Sequence, residues 1–322
     1  MTHNRPILVT GCPRSGTTWT GNIIGASKSV FLVYEPFNDD VGARLQLPDR
    51  FMALTEANSP PHRREIDDMV SLGHLPSRSK LAVRGTLERC LPAAKRYTPA
   101  RLAARWLLRH RKDFINPRRV CFKDPIAFYS SEWLADTYAA QVIVMLRHPC
   151  SVVASYLSLG WDSEIEDMLR HPVPASRPGL AKELTYRQRT LGDPVSDLIL
   201  QWKLFTAATL ELHRRRRDWC FVLHDDLCLR PLEYFSAIFE SLSLELTPGI
   251  IDRIRRESSA QGGSAGALQH QHQRDSKAVV DAWKGKLPPP TAQRVLEETA
   301  ELWEEAQDAL LGGGGQLARA RA

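Results

Sequence analysis

Residues 11–21 read GCPRSGTTWTG. Gly11 and Gly16 stand at the spacing of a Walker loop, GxxxxGK[ST], in which backbone N–H groups wrap phosphate oxygens, the next helix points its positive end at them and a lysine reaches the terminal phosphate. Thr18 keeps the hydroxyl of that pattern, but Thr17 stands in the place of the lysine. The cradle is retained and the grip on a γ-phosphate is not. Arg14, inside the loop, sets a cation beside whatever anion the backbone holds, and Thr17 and Thr18 add hydroxyl donors. A second run, RHPCSVVASY, puts Arg147 where a Walker B aspartate for magnesium would stand, with Ser155 further along. Guanidinium and hydroxyl together suit a second phosphate. The ligand implied is an anion with two charged ends, different from the tail of ATP.

These groups need a frame that brings them together. Apolar runs at 7–11 (ILVTG), 30–35 (VFLVYE), 119–123 (RVCFK), 141–146 (QVIVML) and 219–224 (WCFVLH) predict five buried strands. Helical patterns lie between them, notably at 129–138, 150–159 and 194–217, the last opened by Asp193 as N-cap with Pro194 after it. Continuous apolar strands alternating with helices predict an α/β fold, a central parallel sheet flanked by helices on both faces. Ligands of such sheets sit beyond the carboxyl ends of the strands, where the loop at 11–18 and Arg147 would share one crevice.

One domain is expected over 1–311, with a flexible tail at 312–322. Residues 36–118, rich in proline and arginine, and 160–192, with HPVPASRPG, read as insertions at the rim of the sheet. The stretch 258–276 reads as mobile loop, and its HQHQ lacks the companions of a metal site. No metal is expected. The six cysteines, at 12, 90, 121, 150, 220 and 228, are scattered without a C-x-x-C pair and read as reduced thiols. Cys12 reads as a small filler. No run reaches the roughly 20 apolar residues of a membrane span, and MTHNRP lacks a leader's apolar stretch, so a cytoplasmic protein is expected. The formal charge of +6 suits anionic ligands. RRRR at 214–217 closes a helix, where cations complement the dipole, and no stacking aromatics or reading motif points to nucleic acid. RLAARWLLRHRK at 101–112 reads first as a helix packed onto the core, and is also compatible with a lipid-linked or anionic acceptor and with association at a membrane surface.

The sequence resembles the P-loop sulfotransferase family. PRSGTTW (13–19) is similar to its loop for the 5′-phosphosulfate of 3′-phosphoadenosine 5′-phosphosulfate (PAPS), and RHPCSVVAS (147–155) to its 3′-phosphate element. YEPFN, FKDP, VLHDDLCLRPLEYFSAIF and DSKAVVDAWKGKL continue the likeness across most of the chain outside the two insertions. The resemblance implies metal-independent transfer of a sulfuryl group from PAPS to a hydroxyl or amine, with adenosine 3′,5′-bisphosphate as product. It places the nucleotide on Pro13, Arg14, Ser15, Gly16, Thr17, Thr18, Trp19, Arg147 and Ser155, and in the closing segment on Lys277, Trp283 and Lys284. Two departures stand out: many members carry lysine where this chain has Arg14, and LHDD at 223–226 replaces a commoner tyrosine and glutamate pairing.

The acceptor needs a base near the loop. Glu35, at the end of the second strand, is the first candidate, and Asp124 the second. Lys123 would contact the sulfonate or the bridging oxygen; the alternative for Lys123 and Asp124 is a strand-end salt bridge. Arg14 would assist the leaving phosphate. A small-molecule or glycan acceptor, carbohydrate or otherwise polar, is expected. The competing readings are a kinase using Mg-ATP and a non-catalytic nucleotide-binding protein.

Overall fold

The computed structural model describes residues 5–38, 45, 47–71, 119–169, 193–259 and 275–312. The helix candidate at 101–112, most of 160–192, residues 260–274 and the tail from 313 lie outside them. Five strands, β1 (Ile7–Gly11), β2 (Val30–Tyr34), β3 (Arg119–Lys123), β4 (Gln141–Leu146) and β5 (Cys220–Leu223), form one sheet in the order β2-β3-β1-β4-β5. Every neighbouring pair is parallel. The chain fills one side of β1 with β2 and β3 and then crosses to the other side for β4 and β5. Ligand crevices of parallel sheets open where strand order reverses in this way.

Alternating strand residues feed two cores. Ile7, Val9, Cys121, Ile143, Met145 and Val222 face one layer, with α1 (Thr17–Ile24), α7 (His224–Leu229), α8 (Pro231–Ser241) and α9 (Pro248–Ser258) around it. Leu8, Val120, Phe122, Val142, Val144 and Leu146 face the other. There α3 (Ser131–Tyr138), α4 (Pro149–Leu159), α5 (Ile165–Leu169), the long α6 (Pro194–Arg215) and α11 (Pro289–Gly312) gather. A short α10 (Ser276–Asp281) and a 3₁₀ turn (Ala282–Gly285) lead into α11. No described helix is long and apolar enough to cross a membrane.

Part of the stretch read as a rim insertion belongs to this second core. Leu45, Leu47, Phe51, Leu54 and, from α2 (Arg63–Val70), Ile66 and Met69 are buried in it, with Phe51 edge-on to Phe205 at 5.6 Å. Prolines and charges break the periodicity of these residues, so their burial leaves no pattern along the sequence.

Close approach of α1 to the sheet is set by Gly21. A Cβ there would lie 2.9 Å from Cβ and Cγ of Lys123, and one at Gly25 would lie 2.9 Å from Leu32. The arginines at the end of α6 are paired rather than gathered into a basic face: Arg214 with Glu305 at 2.8 Å, Arg215 with Glu132 at 2.9 Å and Arg216 with Asp136 at 2.6 Å.

Asp193 caps α6 as expected, accepting from the N–H groups of Val195 and Ser196, each at 3.1 Å. The Ser196 hydroxyl first, with Arg294 alongside, holds its carboxyl down at about 2. The folded value lies below the unfolded one, so the cap stabilises above about pH 4 and its contribution fades as pH falls toward 2. Asp193→Ala should therefore cost about 1 kcal/mol at pH 7. Urea unfolding should show the difference from the native chain shrinking between about pH 4 and pH 2; a difference that does not change with pH would argue against a charged cap.

Candidate functional site

The loop after β1 is built on left-handed backbone. Arg14 has φ 70° and Gly16 φ 94°, and the Ser15 N–H closes the bend onto the Cys12 carbonyl at 3.1 Å. At position 16 only glycine fits, because a Cβ would lie 2.2 Å from Cδ2 of His224. No side chain caps α1, so its first-turn N–H groups point their partial positive charge past the end of the sheet. Ser15 is fully buried and its hydroxyl has no partner among the described residues. Burial raises the Cys12 thiol well above its usual range, in keeping with a filler. Pro13 and Thr17 are buried in the same bend.

Arg147 follows β4, its carbonyl held by the indole N–H of Trp202 at 2.9 Å. Its Nη1 donates to the carbonyl of Arg14 at 3.0 Å, and Nε of Arg14 donates to the hydroxyl of Ser155 in α4 at 2.9 Å. Two motifs more than a hundred residues apart thus meet in one crevice. The Arg14 guanidinium also lies over the Trp161 ring, 5.2 Å from its centroid. Next to Arg147, the His148 ring stacks on Trp283 at 5.3 Å and 10°, while the backbone N–H of His148 donates to Oδ2 of Asp225 at 3.3 Å.

The remaining nucleotide candidates are placed unevenly. Trp283 flanks the Arg147 side of the crevice, and Lys284 lies 5.7 Å from the centre of its ring while pairing with Asp281 at 2.7 Å. Trp19 is half-buried and packs edge-on against Phe235 of α8 at 5.1 Å. Lys277 is exposed in the first turn of α10.

The acid and base candidates sit at the ends of β2 and β3. Glu35 has φ 42°, and its N–H bonds the Lys123 carbonyl at 2.8 Å. Its carboxylate pairs with the buried Lys123 ammonium and accepts from the Asn38 amide at 2.7 Å. Asp124 is fully buried and accepts from three backbone N–H groups, those of Phe37 at 2.6 Å, Ile126 at 2.9 Å and Ala127 at 3.3 Å. Burial, with the Glu35 charge next, pushes its carboxyl up to about 7. Asp124 therefore ties the turn after β2 to the turn after β3, and Glu35, its side chain 16% exposed, is the more accessible carboxylate of the two. The salt-bridge alternative for Lys123 holds in geometry, with Glu35 as its partner.

Sequence reasoning missed His224, Asn38, Arg50, Trp161 and Glu164. Burial, and then the Arg147 charge, lowers the pKa of His224, so a neutral ring packs beneath Gly16. The one signal for it was the departure LHDD.

A family model described as Sulfotransferase family matches residues 6–248. The chain belongs to the sulfotransferase family. The match takes in the loop, Glu35, Lys123, Arg147, Ser155 and His224; Lys277, Trp283 and Lys284 of this sulfotransferase lie past its end. No curated protein matches the sequence. Among solved structures, the sulfotransferase domain from the Synechococcus PCC 7002 olefin synthase is 17% identical, with 92% of this chain and 94% of that one covered and a TM-score of 0.47. Mouse sulfotransferase SULT7A1, complexed with PAP, is 12% identical, with 100% and 90% covered and a TM-score of 0.44. Sulfotransferase STF9 from Mycobacterium avium is 15% identical, with 94% and 77% covered and a TM-score of 0.43. Membership rests on the family match alone.

Proposed function

We propose that this sulfotransferase moves a sulfuryl group from PAPS to a hydroxyl of a carbohydrate or other polar small molecule, in line and without a metal. The observation that carries the reading is the bond from Arg147 to the carbonyl of Arg14, with Ser155 on the Arg14 guanidinium. Two anion-binding elements lie within one side chain's reach of each other, as a nucleotide charged at both its 5′ and 3′ ends requires. The orphaned Ser15 hydroxyl and the uncapped start of α1 fit the same ligand.

The α1 N–H groups, with Arg14, Ser15, Gly16, Thr17 and Thr18, would hold the 5′-phosphosulfate, and Arg147 and Ser155 the 3′-phosphate. Trp283 and Lys284 would flank the latter. PAPS supplies a sulfuryl group less charged than a phosphoryl group, so amide donors and one or two cations suffice to steady charge in the transition state. That is a reason for threonine at 17 where an ATP enzyme needs lysine. Glu35 would take the proton of the acceptor hydroxyl, while Lys123 would offer its ammonium to the sulfonate or bridging oxygen.

Calorimetric titration with adenosine 3′,5′-bisphosphate and with Mg-ATP separates this reading from a kinase. Tight binding of the first is expected, together with sulfonated product from radiolabelled PAPS and a panel of sugars, polyols and phenols in EDTA. Preference for Mg-ATP, or no product from any acceptor of the panel, would overturn the reading.

A further inference from the structure

Behind Glu35 runs a chain of hydrogen bonds that the proposed reaction does not itself use. Oε2 of Glu35 accepts from Nδ2 of Asn38 at 2.7 Å, and Oδ1 of Asn38 accepts from Nη1 of Arg50 at 2.9 Å. Nε and Nη2 of Arg50 both donate to Oε1 of Glu164, at 3.1 and 2.8 Å. The other oxygen of Glu164 accepts from the Tyr156 hydroxyl at 2.8 Å. Gln201 closes the far end, donating to Tyr156 at 2.9 Å and accepting from the Glu164 N–H at 2.6 Å. The chain links the turn after β2, the stretch before α2, α4, the approach to α5, and α6. Asn38 is buried, and so are Tyr156 and Gln201.

The direction of these bonds matters. An asparagine amide has an accepting end and a donating end, and a guanidinium only donates. With Arg50 on the oxygen of Asn38, its NH₂ group must face the carboxylate. Glu164 braces Arg50 with a two-pronged contact that a lysine would not reproduce. Without Arg50, the amide can turn its oxygen toward Glu35 and exchange attraction for repulsion.

We infer that Arg50 is a positioning residue for Glu35: by fixing the orientation of the Asn38 amide it keeps Oε2 of the carboxylate bonded and leaves the Lys123-facing oxygen, Oε1, to meet the acceptor's proton. The inference rests on the reading of Glu35 as base. Arg50→Gln should lower turnover with PAPS about tenfold, the loss of one oriented hydrogen bond, with unchanged affinity for adenosine 3′,5′-bisphosphate. Asn38→Ala should lower it equally, and the double variant no further, because both act through one contact. Independent, multiplying losses, or no loss in either variant, would overturn the inference.

A second measurement needs no acceptor. The carboxyl carbon of Glu35, followed by NMR through pH, should titrate higher in both variants, since each costs the charged form a donor. Lys123 at the end of β3 and Asp124 just after it, the other charges facing it, are unaltered in both. An unmoved midpoint would also overturn the inference. Glu35→Gln separates the two readings: if it keeps full turnover, Glu35 is not the base, while a shifted Glu35 titration in the Arg50 and Asn38 variants would still establish the positioning.

Discussion

Glu35→Gln is expected to lower turnover of PAPS with a competent hydroxyl acceptor by about 10²–10⁴-fold, with affinity for adenosine 3′,5′-bisphosphate changed less than about twofold. Glutamine keeps the length of the side chain and an oxygen for the Lys123 ammonium, but it cannot take a proton. The conservative change matters because the Lys123 side chain is only 5% exposed. Alanine would leave a buried cation unpaired, at a cost of about 3–5 kcal/mol, and confuse folding with catalysis. Product formation and nucleotide titration on the same preparation keep the two effects apart. If turnover survives in Glu35→Gln, the base is another group. Asp124 is poorly placed for that role, because its two oxygens already serve the N–H groups of Phe37, Ile126 and Ala127.

The second large effect is expected at the other end of the crevice. Arg147→Ala should weaken adenosine 3′,5′-bisphosphate by at least about 100-fold, since charge-assisted hydrogen bonds contribute about 1.5–3 kcal/mol each and a guanidinium makes two to a phosphate. Part of the loss would be indirect, because the same guanidinium ties down the carbonyl of Arg14 at 3.0 Å. Arg147→Lys should fall between, keeping charge without the fork. Adenosine 5′-phosphate, which lacks the 3′ group, should lose only the indirect part, a much smaller drop than the bisphosphate suffers. A comparable loss for both nucleotides would mean that Arg147 supports the loop and does not read the 3′-phosphate.

The sheet was legible to within a residue or so because parallel strands buried on both faces are unbroken apolar runs. The runs at 7–11, 119–123 and 141–146 are β1, β3 and β4 as read, while β2 and β5 end one residue earlier than expected and β5 also starts one later. The loop, Arg147 and Ser155 stood out as candidates because each belongs to a local spacing, and the fold brings them together. The burial of Leu45, Leu47, Phe51, Leu54, Ile66 and Met69 was not, since proline and charge lie between them and tertiary contact alone places them. Arg50 and Glu164, 114 residues apart, have no local signature at all. His224 is a subtler case: its identity was visible as a departure from a familiar pattern, but only the fold slides its ring beneath Gly16.

The bare flank of α1 at Gly21 has a bearing on chemistry as well as packing. The alkyl stem of Lys123 runs where a methyl on that helix would otherwise sit, and its ammonium goes on to meet Glu35. How far that cation reaches is thus governed by hydrogen at a neighbouring α-carbon. A bulkier residue there would push the stem aside and carry the charge away from the carboxylate it meets, with every charged group of the crevice still present in the sequence.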